Sequence, residues 1–193
     1  MTIDFSKLAS LLECEHQIFV KHASNPNSFR WKSLLGSFAD DLQNYVRPFG
    51  LGVEKSWGIG RWAYFPWIRL YFSGIGGTAK DGIFIDYLFG WEDHEAFLTL
   101  LQGVDKTHSS ELDRIKKLIQ SKVDCGSFKK SPFGSTPVID GTAAKCARAE
   151  SYAQGMIFQK KYTQSSLPDT SQLEADLKEI INIYAEVKSL KIK

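Results

Sequence analysis

The sequence predicts an α+β fold: an antiparallel β-sheet, a meander over roughly residues 50–104 joined by later strands, flanked by N-terminal and C-terminal helices. Three observations carry this expectation. Apolar residues recur at helical spacing up to Val46 and again after Asp169. Between 50 and 104 the period shortens to the two-residue alternation of strands. Within that middle part, Gly74-Ile75-Gly76-Gly77 and Gly90-Trp91-Glu92-Asp93 supply turns at hairpin intervals.

The elements follow in order. A first helix is expected over 4–23, with Asp4 as its N-cap and Leu8, Leu11, Leu12, Ile18 and Phe19 at helical spacing. Asn25-Pro26-Asn27 breaks it, and a second helix covers about 29–46 before Pro48 stops it. Trp67–Phe72, Ile83–Phe89 and Ala96–Leu100 read as strands, with Pro66 at a strand start where its missing N–H does least harm. Ser109 or Ser110 caps a helix to about Val123, whose first turn holds Glu111 and Asp113. Residues 124–142 read as a long loop or short strands; 143–161 begin helix-like and end strand-like at MIFQKKY. A last amphipathic helix spans about 171–190. One domain is expected over 1–193: a helical part at 1–48, a sheet-containing core at 50–165 and the closing helix at 170–190.

Composition narrows the function. A net charge of +2 excludes a histone-like electrostatic binder but leaves room for a local basic face. Three widely separated cysteines, Cys14, Cys125 and Cys146, argue for a reducing compartment, and the cytoplasm is the expected one. No run of about 20 apolar residues is present, so no membrane partner is expected.

Catalytic signatures are missing. No G-x-x-x-x-G-K-[ST] loop occurs, and Gly141-Thr142-Ala143-Ala144-Lys145 lacks the second glycine and the hydroxyl. Cys14 and His16 point to different sides of a helix, and His22, His94 and His108 lack a partner at ligand spacing. The Glu/Asp-x-Lys triplets at Asp176 and Glu186 lie on a helix and read as solvated charge. Asp86 is the one carboxylate inside an apolar strand and reads as a paired or edge residue. The chain is expected to be neither an enzyme nor a metal or cofactor binder.

The most unusual stretch is Trp57–Val104, which holds four of the five tryptophans among glycines, in a chain that is 13% aromatic. In Ser56-Trp57-Gly58-Ile59-Gly60-Arg61-Trp62, an aliphatic residue stands between two glycines and is followed by a cation. That loop suits a wedge pushed into a nucleic-acid stack with Arg61 on a phosphate; the commoner arrangement of such residues is a hairpin tip folded back on the core. Phe84 and Leu88 share strand parity while Tyr87 points the other way, so with Trp67 they form either an aromatic concavity or the sheet's buried face. Lys129-Lys130, between Phe128 and Phe133, mixes cations and aromatics in a loop.

W-G-I-G-R-W-A-Y-F-P-W-I, then D-G-I-F-I-D-Y-L-F and L-T-L-L-Q-G-V, resembles the N-terminal domain of McrB, the specificity subunit of modification-dependent restriction systems. The match is good over about 55–105 and extends more weakly to Ser151–Gly155 and Asp176–Tyr184. The resemblance implies a reader of methylated or otherwise modified bases in double-stranded DNA that flips the base from the duplex. By position it implies a wedge loop of Trp57, Ile59 and Arg61, with Ile59 at the tip, and a base pocket lined by Trp67, Phe84 and Leu88. A further pocket aromatic is expected from 124–135, either Phe128 or Phe133. Lys55, Lys129 and Lys130 are the expected phosphate contacts. A GTP-hydrolysing motor and a nuclease would then lie in another part of a longer protein or in partner subunits. The rival expectation is a protein-interaction or assembly module of such a complex, whose aromatic loop docks on a partner.

Overall fold

The computed structural model describes residues 2–13, 26–58, 65–72, 82–90, 94–105, 107–132 and 147–190. Helix α1 spans Ser6–Leu12 and buries Leu8, Leu11 and Leu12, three of the residues whose spacing predicts it. Asp4 accepts from the Ser6 amide at 3.1 Å, two residues ahead, so it closes a turn before the helix instead of occupying the N-cap, which is Phe5. Helix α2 runs from Pro26 to Val46. The proline that breaks the preceding segment is therefore the first residue of α2, the one helical position where its missing N–H costs nothing. Arg47–Phe49 adds a 3₁₀ turn, and Gly50 then reverses the chain at φ 76°, a left-handed conformation natural to glycine.

Strands β1 (Leu51–Ser56), β2 (Trp67–Phe72), β3 (Ile83–Gly90) and β4 (Glu95–Gln102) form the expected antiparallel meander. Helix α3 (Ser109–Lys122), the two-residue strand β5 (Lys129–Lys130) and helix α4 (Ala147–Gly155) follow. Strand β6 (Met156–Thr163) then lies antiparallel beside β4, with β5 outside it, giving the order β1-β2-β3-β4-β6-β5. The ambiguous stretch 143–161 thus divides at Gly155. A Cβ there would meet the Gln102 carbonyl oxygen at 2.5 Å and Val104 Cγ1 at 2.7 Å, so only glycine lets α4 turn this closely into β6. The closing helix α5 (Thr170–Ser189) is capped by Asp169, whose side chain accepts from the Gln172 amide. No helix among the described residues is long and apolar enough to cross a membrane.

Both faces of the central strands are buried, and the buried residues form two separate clusters. The larger joins Ile68, Leu70, Ile85, Tyr87, Leu98 and Leu100 of the sheet to Trp31, Leu35, Phe38 and Leu42 of α2 and to Leu173, Leu177 and Ile181 of α5. Edge-to-face rings knit it: Trp31 to Phe89 at 5.9 Å and Phe38 to Tyr87 at 5.6 Å. The smaller consists of Phe65, Phe84, Leu88, Phe97, Leu101, Tyr152 and Met156, with Trp67 and Tyr71 half-buried at its margin. Strand alternation separates the two, as the opposite parity of Tyr87 against Phe84 and Leu88 predicts.

One predicted surface is not a surface. Asp176, read from sequence as solvated helix charge, is buried in α5 and accepts from Tyr162 Oη at 2.8 Å, Lys160 Nζ at 2.8 Å and Gln172 Nε2 at 2.7 Å. Helical spacing locates a residue on a helix but does not reveal which side a sheet will cover. Here β6 brings a tyrosine and a lysine to that carboxylate.

Candidate nucleic-acid interface

The smaller cluster lies on the face of the sheet that carries Trp67, Phe84 and Leu88, and strand pairing arranges that face as parallel rungs. Trp67 pairs with Leu88, Leu88 with Phe97 and Phe97 with Lys161. The next rung on the same face runs Glu54, Arg69, Asp86, Thr99, Gln159, Lys129. Beyond it Phe84 pairs with Leu101, which pairs with Met156 across an irregularity between Leu100 and Leu101. A polar rung therefore crosses the whole sheet between two aromatic and apolar ones.

At its centre Arg69 and Asp86 form a two-armed ion pair, Nε to Oδ1 and Nη2 to Oδ2, each at 3.0 Å. Both residues are buried, Asp86 completely. Burial pushes the Asp86 carboxyl up to about 6, against the opposing pull of Arg69. The Arg69 guanidinium lies 3.6 Å from the centre of the Phe84 ring and 4.4 Å from that of Trp67, one ring in each flanking rung. It thus fills the space between the two aromatics. Asp86 is a paired residue, one of the two possibilities its sequence context leaves.

The remainder of the polar rung is uneven. Thr99 Oγ1 donates to the Phe158 carbonyl oxygen at 2.8 Å. Gln159 Oε1 is buried with no partner among the described residues. Next to the rung, Lys161 pairs with the buried Glu95 and stands 5.6 Å from the Phe97 ring.

Not all predicted site residues converge here. Trp67, Phe84 and Leu88 do. Phe128 does not: it is 3% exposed in the larger cluster, with Lys160 Nζ 4.8 Å from its ring. Its place on the helix-covered side follows from β5 register, which sets Lys130, of the same parity, opposite Phe158. Phe133 lies outside the described residues. The aromatic that joins the cluster from later in the chain is Tyr152 of α4, edge-on to Phe65 at 5.7 Å. The signal that could have found it is its place just before Gly155, since a glycine-tight turn into β6 fixes α4 beside this face.

The wedge loop is placed only at its start. Trp57 is half-buried against the larger cluster with Lys32 Nζ 5.8 Å from its ring, while Ile59 and Arg61 lie outside the described residues. The expected phosphate contacts divide between the faces. Lys129 is exposed at the end of the polar rung. Lys130 donates to the Gln120 carbonyl oxygen at 2.8 Å near the end of α3. Lys55 has the opposite parity to Trp67 and reaches α2, bonding Asp40 Oδ1 at 3.3 Å and the Gly36 carbonyl at 3.4 Å.

A buried frame holds this side of the molecule together. Lys116 of α3 donates to the Pro132 and Ala153 carbonyl oxygens at 3.0 and 3.2 Å, and Gln120 donates to those of Ser131 and Ile157 at 2.9 and 2.8 Å. Desolvation lowers the Lys116 ammonium to about 8. These bonds fix α4, and so Tyr152, relative to β6.

Residues 25–189 match the family model described as MrcB-like, N-terminal domain. The chain belongs to that family. No curated protein matches it. Membership in the MrcB-like N-terminal family makes this α+β unit a DNA-binding domain of a McrB-type restriction system.

Proposed function

We propose that this domain reads a methylated or otherwise modified base in duplex DNA after the base has been flipped out, and that the reading face is the one bearing Trp67. The observation that carries this is the second aromatic cluster itself. A sheet covered by helices on one face already has its core, so a further group of rings around Trp67 and Tyr71, left half-buried at the margin, is what a base-stacking site requires. Trp67 offers the stacking surface, Leu88 and Tyr152 pack beneath it, and Phe84 backs the Arg69 guanidinium against it. Ile59 and Arg61 remain the proposed wedge and its phosphate contact. Lys129 is the proposed phosphate contact on this face. Cleavage would be supplied by a GTPase motor and a nuclease in the same restriction system, acting in a cytoplasmic setting.

The test is an equilibrium titration with labelled duplexes carrying cytosine, its 5-methyl, 5-hydroxymethyl and N4-methyl forms, or N6-methyladenine. Wild-type chain is expected to prefer at least one modified duplex. Trp67→Ala should lower that preference by roughly 5- to 150-fold, the equivalent of one base–aromatic stack of about 1–3 kcal/mol, while keeping most non-specific affinity. A folded Trp67→Ala chain that discriminates as well as wild type would refute the pocket. If no duplex binds even at low salt, the assembly-module reading takes its place.

A further inference from the structure

Among the described residues, the aromatic face carries a buried polar group with unused bonding capacity. Arginine has five N–H donors, and the Asp86 fork uses those of Nε and one of Nη2. The Nη1 amino group is buried and has no partner among the described residues. Leaving a charged donor unpaired and out of water is costly, more so than for a neutral amide, so an orphan of this kind asks for an explanation. Arg69 is also unable to swing away cheaply. Asp86 grips it with two bonds, Phe84 and Trp67 stack on it, and its partner carboxylate is completely buried.

We infer that Arg69, oriented by Asp86, is the specificity-determining residue of this face, and that Nη1 donates to a carbonyl oxygen on the edge of the base held against Trp67. The ligand class is therefore an oxo-base: cytosine, guanine or thymine and their substituted forms. Adenine and N6-methyladenine offer ring nitrogens and an exocyclic amine but no carbonyl, so they leave the guanidinium without the oxygen acceptor that suits it best. Asp86 is a positioning residue. It holds the guanidinium plane and keeps the Nε edge occupied, which leaves Nη1 as the group free to read. This inference rests on the base-stacking reading above and adds to it the chemistry of the edge.

The experiment uses the full chain and a set of duplexes with one central base placed opposite an abasic site, so that extrusion is equally easy for each. The central base is cytosine, 5-methylcytosine, guanine, thymine, adenine or N6-methyladenine, or a second abasic site. Fluorescence anisotropy should rank every oxo-base at least tenfold above adenine and N6-methyladenine. Arg69→Met keeps the length and apolar packing and removes the donor; it should bring all six bases within about threefold of one another. Because that variant leaves Asp86 buried alone, Arg69→Met with Asp86→Leu supplies a version with no stranded charge, and it should show the same flattened ranking. Arg69→Lys should retain part of the oxo-base preference but less than wild type, since an ammonium cannot hold the fork and the stack at once.

The inference fails if either methionine variant, folded by circular dichroism, keeps the wild-type ranking, or if wild type prefers adenine. Failure of the stacking site itself has a separate signature: wild type would then bind every central base, and the doubly abasic duplex, equally well. A Trp67→Ala chain that loses base dependence while Arg69→Met keeps it would sustain the stacking site and overturn the role of Arg69.

Discussion

The two faces of this sheet are built from similar residues and do different work. On the helix-covered face, Tyr87, Phe89, Leu98 and Leu100 meet α2 and α5, and the rings pack edge to face on one another. On the other face Phe84, Leu88 and Phe97 are just as buried, yet a polar rung runs between the aromatic ones and holds an arginine against two rings. Each face buries a charge pair, Asp176 with Lys160 on the helix-covered side and Arg69 with Asp86 on the other, so a buried ion pair by itself does not mark a site. The contrast teaches that burial alone does not separate core from site. The informative difference is a charged guanidinium held between two rings, with Nη1 unpartnered among the described residues.

That comparison can be broken most forcefully at the first face. Phe38→Ala removes a fully buried ring that packs edge to face with both Phe5 and Tyr87 and should cost about 3–5 kcal/mol by urea denaturation. Where the variant is still folded, its ranking of modified duplexes should equal wild type. A change in ranking would show that the two faces are not functionally separate.

A smaller effect should appear in the pH dependence of the second face. The Asp86 carboxyl is raised from an ordinary 3.8 to about 6 by burial, so the native state holds this proton more tightly than the unfolded chain does. The stability it contributes is present below pH 4 and is lost as pH rises through about 6. Compared with the Arg69→Met, Asp86→Leu double variant, wild type should therefore lose on the order of 2–3 kcal/mol between those limits and change little above them. Urea midpoints of both proteins from pH 4 to 7 measure this. A wild-type advantage that grows with pH would mean that Arg69 outweighs desolvation.

The smallest expected effect separates the three lysines. Lys129→Ala should weaken binding to all duplexes by less than tenfold and reduce the slope of log affinity against log salt by about 1. Lys130→Ala and Lys55→Ala should leave that slope unchanged, because one lysine bonds α3 and the other bonds α2. Equal slopes for all three variants would place the DNA on neither face in preference.

Much of the architecture is legible in the chain. The strands at Trp67 and Ile83, the helix before Val123, the closing helix after Asp169 and the change from helix to strand near Gly155 all follow from local period and turn chemistry. The site is legible in part. Strand parity already sets Phe84 and Leu88 apart from Tyr87. It does not say that Phe128 enters the helix-covered cluster, which depends on a two-residue strand pairing with β6. Nor does it say that Tyr152 comes to Phe65, which depends on where α4 is anchored by Lys116.

Asp86 shows the boundary most clearly. Its sequence neighbours mark it as an odd carboxylate in an apolar strand, and nothing local names its partner. Arg69 becomes that partner only because β2 and β3 pair in the register that sets the two opposite each other. Element types, their order and which residues of one strand share a side follow from the chain alone, because these are set by spacings of two to four residues. Which rungs form, which aromatics share a face with the arginine and which lysine lies beside them are settled by long-range strand pairing. Those outcomes depend on strand order and register between segments far apart in the chain, and no local period encodes them.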